Sequence, residues 1–202
     1  VLADWVDVLR AGVERNLAEP GPFVRHYTPK GGPGYFFGDY CNWQRIEEYR
    51  QFVERSSLGE IAARLMGARE VRFFHEHVLV KEPSTPEPTP WHHDHPYYSV
   101  DCDQSASFWI PLDSVGQDVC PEFIVGSHKW GKWFVPKRFS GQEWAREDEP
   151  EGLESIPDIE AGRGDYDIVN FDVDWSLPAL LVAPLVVSPQ IWLGLMFTIA
   201  RV

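Results

Sequence analysis

Eleven residues, Val71–Lys81, constrain this chain more than any others. Val-Arg-Phe-Phe-His-Glu-His-Val-Leu-Val-Lys is rich in β-branched and aromatic side chains. Read with a period of two, it puts Phe73, His75, His77 and Leu79 on one face and Phe74, Glu76, Val78 and Val80 on the other, the pattern of a long strand. The next nine residues, 82–90, contain four prolines. Proline has no N–H to give a ladder and holds φ near one value, so this run is a stiff loop and not an internal strand. The chain must therefore build a sheet, and one strand of that sheet ends in a rigid arm.

The arm delivers Trp91-His92-His93-Asp94-His95-Pro96-Tyr97-Tyr98. In extended backbone residues i and i+2 point to one side, so His92 and Asp94 project together and His93 faces away. An imidazole and a carboxylate placed so can occupy two positions of a 2-His-1-carboxylate metal site, with other positions open to a co-substrate and dioxygen. An exposed polar turn is the plain alternative for so short a triplet. Because His92 and His93 are adjacent, the His-x-His-x-Asp-His pattern of dinuclear zinc hydrolases is not met. Two further strands are expected at 105–112 and 122–125, the second breaking into a Gly126-Ser127-His128 loop.

Before the long strand the period is helical. Leu2, Trp5, Val6, Leu9, Val13 and Leu17 form one apolar stripe that stops at Glu19-Pro20-Gly21-Pro22. Residues 31–43 read as a glycine-rich turn and an aromatic core strand. Two helices are expected at 44–52 and 58–66, the latter stopped by Gly67. With 202 residues and 44% hydrophobic content, one domain with a sizeable core is expected. Nine tryptophans supply large planar side chains that bury much area in a core. Lys and Arg total 18 against 31 Asp and Glu, a charge of −13 that repels nucleic acid and anionic membrane surfaces. An anionic substrate would need a local basic patch, and no such cluster is visible. Cys41, Cys102 and Cys120 are odd in number and far apart, which fits a reducing, cytoplasmic compartment. Charges at Asp4, Asp7, Arg10, Glu14 and Arg15 argue against a signal peptide in the first 17 residues. Residues 137–161, with Glu147-Asp148-Glu149, read as a solvated excursion.

Taken in order, Lys81-Glu82-Pro83, Thr89-Pro90-Trp91-His92-His93-Asp94-His95-Pro96-Tyr97-Tyr98, Asp103-Gln104, Phe108-Trp109-Ile110-Pro111-Leu112-Asp113 and Gly126-Ser127-His128-Lys129-Trp130-Gly131 resemble the phytanoyl-CoA dioxygenase family of iron(II)- and 2-oxoglutarate-dependent oxygenases. The resemblance spans roughly residues 70 to 173. It implies a mainly β fold with flanking α: a double-stranded β-helix (jelly-roll, cupin-like) in one domain, 1–173, with a helical flank over about 1–67. It implies iron(II) on His92, Asp94 and a distal histidine, with 2-oxoglutarate and dioxygen as co-substrates. The chemistry would be oxidative decarboxylation to succinate coupled to hydroxylation of a small organic or acyl substrate. His77 would line the 2-oxoglutarate pocket, with His75 a core histidine. Lys81 would hydrogen-bond a carboxylate of the cosubstrate, and Trp109 would lie against it. Tyr97 and Tyr98 would wall the substrate pocket. A solvated lysine, a core tryptophan and simple packing of a tyrosine are the ordinary alternatives. His128 is read as stabilising its loop, since the family uses a later histidine.

The resemblance stops short of the C-terminus. Residues 162–173 still read as a turn and strand of the family, which would continue with a Gly-Asp turn, a strand, the distal histidine and an arginine for the far carboxylate of 2-oxoglutarate. No histidine follows His128, and no charged residue lies between Trp175 and Ala200. The fold is thus expected to be incomplete at its end, with 174–202 an anomalous apolar tail. Three readings compete. A membrane anchor has the length, but Pro178, Pro184 and Pro189 make a poor helix without a flanking basic cluster. Core strands at 180–187 and 191–200 could close the barrel. A shift of reading frame would replace the true last strands, and the abrupt change of composition favours it. Arg201 could stand in for the 2-oxoglutarate arginine, and Asp172 or Asp174 for the missing ligand. A non-catalytic jelly-roll module that binds a small ligand or a metal is the rival from another class.

Overall fold

The computed structural model describes residues 3–86, 89–99, 104–138, 153–170, 182–183 and 193–201, the last two stretches as backbone. Helix α1 (Val6–Ala18) follows a 3-10 turn at Ala3–Trp5 and buries Val6, Leu9 and Val13 on the stripe expected from the sequence. Helix α2 is Glu47–Arg55, starting three residues later than the pattern suggests. The reason is local: the Asn42 carbonyl takes the N–H of Arg45 and Ile46, while the N–H groups of Asn42 and Trp43 are taken by the Glu76 carboxylate. Helix α3 is Leu58–Met66 and ends as read, at Gly67, whose φ of 57° lets Gly67 and Ala68 donate back to Arg64 and Ala63.

The strands are β1 (Arg25–His26), β2 (Phe36–Tyr40), β3 (Val71–Lys81), β4 (Ser105–Pro111), β5 (Phe123–Ile124), β6 (Ile168–Val169), β7 (Val182–Ala183) and β8 (Leu193–Arg201). Six of them form one antiparallel sheet in the order β1-β2-β3-β8-β4-β7, and β5 pairs with β6. The described strands do not close into a barrel. The helices cover one face of the large sheet, where Phe37, Val78, Phe108 and Ile110 pack on Leu9, Val13, Tyr49, Phe52, Leu58 and Ala62. Phe36, Leu79, Trp109, Val115 and Cys120 cluster on the other face. Helices α1 and α2 approach closely at Gly12, where a Cβ would sit 2.5 Å from the Tyr49 ring.

Two sequence expectations change here. A β-bulge between Phe73 and His75 breaks the alternation of β3. Phe73 packs with Trp43 in the helix-side cluster, whereas Phe74 and His75 both lie against Tyr98. A bulge spends one extra residue and re-aims the side chains around it, which a strict period of two cannot anticipate. Likewise residues 153–161 are not a solvated excursion. Ile156 and Ile159 are buried with Ile124 and Phe134, and Phe134 bridges Glu154. The acidic run at 147–149, Cys102, Asp103, Asp172 and Asp174 lie outside the described residues.

The backbone of the tail runs as strand. Leu193–Arg201 is inserted between β3 and β4, so that His75, Thr198 and Ser107 share one cross-strand row and His77, Met196 and Trp109 the next. Among the described residues no helix is long and apolar enough to cross a membrane.

Candidate metal centre

The proline-rich arm is anchored where it leaves β3. The Thr85 hydroxyl meets the carbonyls of Glu82 and Tyr35, and Gly34, with φ of 73°, lets that backbone pass against Thr85. Further on, the Trp91 indole N–H donates to Glu160 at 2.9 Å, and Glu160 is paired with Arg163, which also pairs with Glu122. Both anchors act on backbone flanking His92.

His92 Nδ1 lies 2.9 Å from the carbonyl oxygen of Pro90. A carbonyl only accepts, so Nδ1 carries a proton, and the ring in its neutral form presents Nε2 as a lone-pair donor. That Nε2 is 3.2 Å from Asp94 Oδ1. Two lone-pair atoms that face each other so closely need a cation between them, either a proton or a metal. The convergence is made by a turn rather than by extended backbone: Asp94 is helical in φ and ψ and opens the 3-10 turn His95–Tyr97. Asp94 is buried, and its Oδ2 accepts from Ser107 Oγ at 3.0 Å, with the Tyr98 hydroxyl 3.2 Å from that Oγ. Burial works against the Asp94 charge, but a proton carried by His92 Nε2 when no metal is bound, with hydrogen bonds from Ser107 and Tyr98, outweighs it and holds the carboxyl below its usual range.

His77 stacks on Tyr40 with ring centroids 3.8 Å apart. Burial drives it down to about 3 and His75 down to about 4, the Asp94 charge opposing in both, so these rings are neutral. Their buried Nε2 and Nδ1, respectively, have no hydrogen-bond partner among the described residues. Burial also pushes His93 down to about 4; it packs against Trp133 and Phe134, and His95 lies against Trp133. Lys81 is buried, with its ammonium 5.1 Å from the Phe36 ring centre, and Trp109 belongs to the cluster that contains Phe36. Lys81 stands four residues beyond His77, about 13 Å along the strand. The Tyr97 hydroxyl donates to the Lys137 carbonyl at 2.5 Å and accepts the Lys137 N–H at 2.7 Å, and burial raises it to about 12. His128 is exposed in the turn Ser127–Lys129.

The structure therefore brings His92, Asp94 and Tyr98 together, with His75 and His77 near enough to feel the Asp94 charge. It leaves Arg201 apart from Lys81: Arg201 pairs with Val71, at the opposite end of β3, about 30 Å away along the strand. Ser107 was missed in the sequence, although its place two residues before Trp109 on β4 assigns it to the same face. Glu160 and Trp133 carried no local signal.

The fold is shared with several solved structures. The structure matches the epimerase SnoN, described in complex with Fe3+, alpha ketoglutarate and nogalamycin RO, at a TM-score of 0.70 and 20% identity, over 100% of this chain and 76% of that one. It matches SnoK, a non-heme alpha ketoglutarate dependent carbocyclase from nogalamycin biosynthesis, at 0.69 and 21%, over 97% and 74% of the two chains. AviO1 from Streptomyces viridochromogenes Tue57 follows at 0.66 and 18%, over 98% and 85%. No curated protein matches the sequence. The family model for phytanoyl-CoA dioxygenase matches residues 3–173, and the chain belongs to that family of oxygenases. The family uses iron(II), 2-oxoglutarate and dioxygen.

The donor set can be tested against iron. Two adjacent ligand atoms about 2.1 Å from one metal and at right angles are about 3 Å apart, and the His92–Asp94 pair at 3.2 Å fits two such positions. Among the described residues no group of three His, Cys, Asp or Glu side chains converges.

Proposed function

We propose that the protein is an iron(II)- and 2-oxoglutarate-dependent dioxygenase that hydroxylates a small organic or acyl substrate, with iron held by His92 and Asp94. The observation that carries this reading is the convergence of His92 Nε2 and the buried Asp94 carboxylate at 3.2 Å, with His92 Nδ1 held by the Pro90 carbonyl. When bound, iron with 2-oxoglutarate and dioxygen supplies the oxidising power for attack on an unactivated C–H bond. The chain's own residues prepare for it. Pro90 fixes the His92 tautomer and Ser107 fixes the Asp94 carboxylate. The half-buried, neutral His77 ring and the buried Trp109 ring face the cosubstrate and exclude water, and Lys81 offers a buried positive charge at the end of the same face. Tyr97 and Tyr98 wall the substrate side.

We read the two sheets as parts of a double-stranded β-helix. The position of β8 between β3 and β4 supports the tail as a core element rather than an anchor. The odd number of cysteines, Cys41, Cys102 and Cys120, supports a cytoplasmic setting. The absence of a histidine after His128 argues for weak iron binding and little turnover in this chain. The same observation favours a second reading, a jelly-roll module that binds metal or a small ligand without catalysis. Oxygen uptake dependent on both iron(II) and 2-oxoglutarate, and lost in His92→Ala, would support the dioxygenase. A folded chain that binds iron(II) but shows no uptake would establish the module instead.

A further inference from the structure

We infer that Ser107 and Tyr98 are positioning residues for Asp94, leaving only Oδ1 of its carboxylate for a metal. The inference rests on the reading of His92 and Asp94 as a metal pair. Ionised Asp94 can only accept, so the single hydroxyl hydrogen of Ser107 goes to Oδ2 at 3.0 Å. The Tyr98 hydroxyl, 3.2 Å from Ser107 Oγ, completes the group, its one hydrogen turned to that oxygen and to the Asp94 carboxylate beside it. Oδ1 is the atom turned to His92 Nε2.

The Tyr98 ring is held in turn by β3. The bulge that follows Phe73 sets Phe74 and His75 edge-on against it, with centroids 5.5 and 5.2 Å away. Ser107 comes from β4, two strands from β3 with β8 between them in register. Asp94 is thus oriented by two elements of the sheet, while the residue itself sits on a loop. A carboxylate with one oxygen committed to a protein donor binds as a one-oxygen ligand and keeps neighbouring metal positions open, which a two-oxygen chelate would fill. Partners of this kind usually change metal affinity about 10–100-fold when removed.

Anaerobic titration of the unaltered chain with iron(II), and with cobalt(II) read by its visible absorption, tests this. Ser107→Ala should weaken binding about tenfold or more and change the cobalt(II) spectrum, because Oδ2 is released to the metal. Ser107→Thr, which keeps the hydroxyl, should restore both. Tyr98→Phe keeps the ring against Phe74 and His75 and should shift affinity in the same direction by less. Equal thermal midpoints across the set would exclude loss of fold as the cause. Unchanged affinity and spectrum in Ser107→Ala would overturn the inference while leaving the metal pair intact. Failure of the unaltered chain to bind either metal would overturn both.

Discussion

Glu76 is the strongest internal test of this structure. It lies fully buried on the helix side of β3, with its oxygens taken by the N–H groups of Asn42 and Trp43. Burial raises its carboxyl from the ordinary 4.5 to about 7, and the nearby Asp39 carboxylate adds to the rise. Asp39 is itself held by Asn16, Gly21 and Tyr40, and Tyr49 and Cys41 also face this pocket. A folded-state value above the unfolded one means that the folded protein binds the proton more tightly. The associated stability is present below about 4.5 and lost as pH climbs through about 7. Two and a half pH units at about 1.4 kcal/mol each make about 3.5 kcal/mol over the whole range.

Glu76→Gln removes that titration. It also leaves one backbone N–H facing an amide NH2, a loss of about 1–3 kcal/mol that does not vary with pH. Urea unfolding of both proteins from pH 5 to pH 8 isolates the effect, since groups that do not interact with Glu76 cancel in the difference. The unaltered chain should be the more stable at pH 5, and its advantage should shrink by about 2.5 kcal/mol by pH 8, with half of the loss complete by about pH 6. A difference that stays flat across this range would refute the reasoning, because it would mean that Glu76 is ionised in both states or exposed in the folded one.

Two other substitutions probe how the site and helices are held. Tyr97→Phe removes the hydroxyl that clips the Lys137 backbone; hydrogen exchange at residues 133–137 should quicken by an amount equivalent to about 1–2 kcal/mol, and unchanged exchange there would show that the clip is idle. Gly12→Ala should lower the thermal midpoint although alanine favours a helix by about 1 kcal/mol, since its Cβ would press on Tyr49 at 2.5 Å; a raised midpoint would mean that α1 and α2 are not in contact there.

The local features of this protein are written in its sequence. Helix α3 stands between Leu58 and Met66, with Gly67 as its stop, because cap and period act within a few residues of chain. The extent of β3 and the rigid proline arm after it are equally local, and His92 and Asp94 are near enough in sequence for one turn to bring them together. What the chain could not state by itself is everything that depends on pairing across the sheet. The bulge at Phe73 moves Phe74 to the side of His75 because β8 pairs with β3 in that register. Ser107 reaches Asp94, thirteen residues earlier, only because β4 is placed there by a strand drawn from the end of the chain. Backbone hydrogen bonds between strands are indifferent to side-chain identity. The partner and register of a strand are therefore chosen by how whole faces pack, and that choice exists only in the tertiary structure.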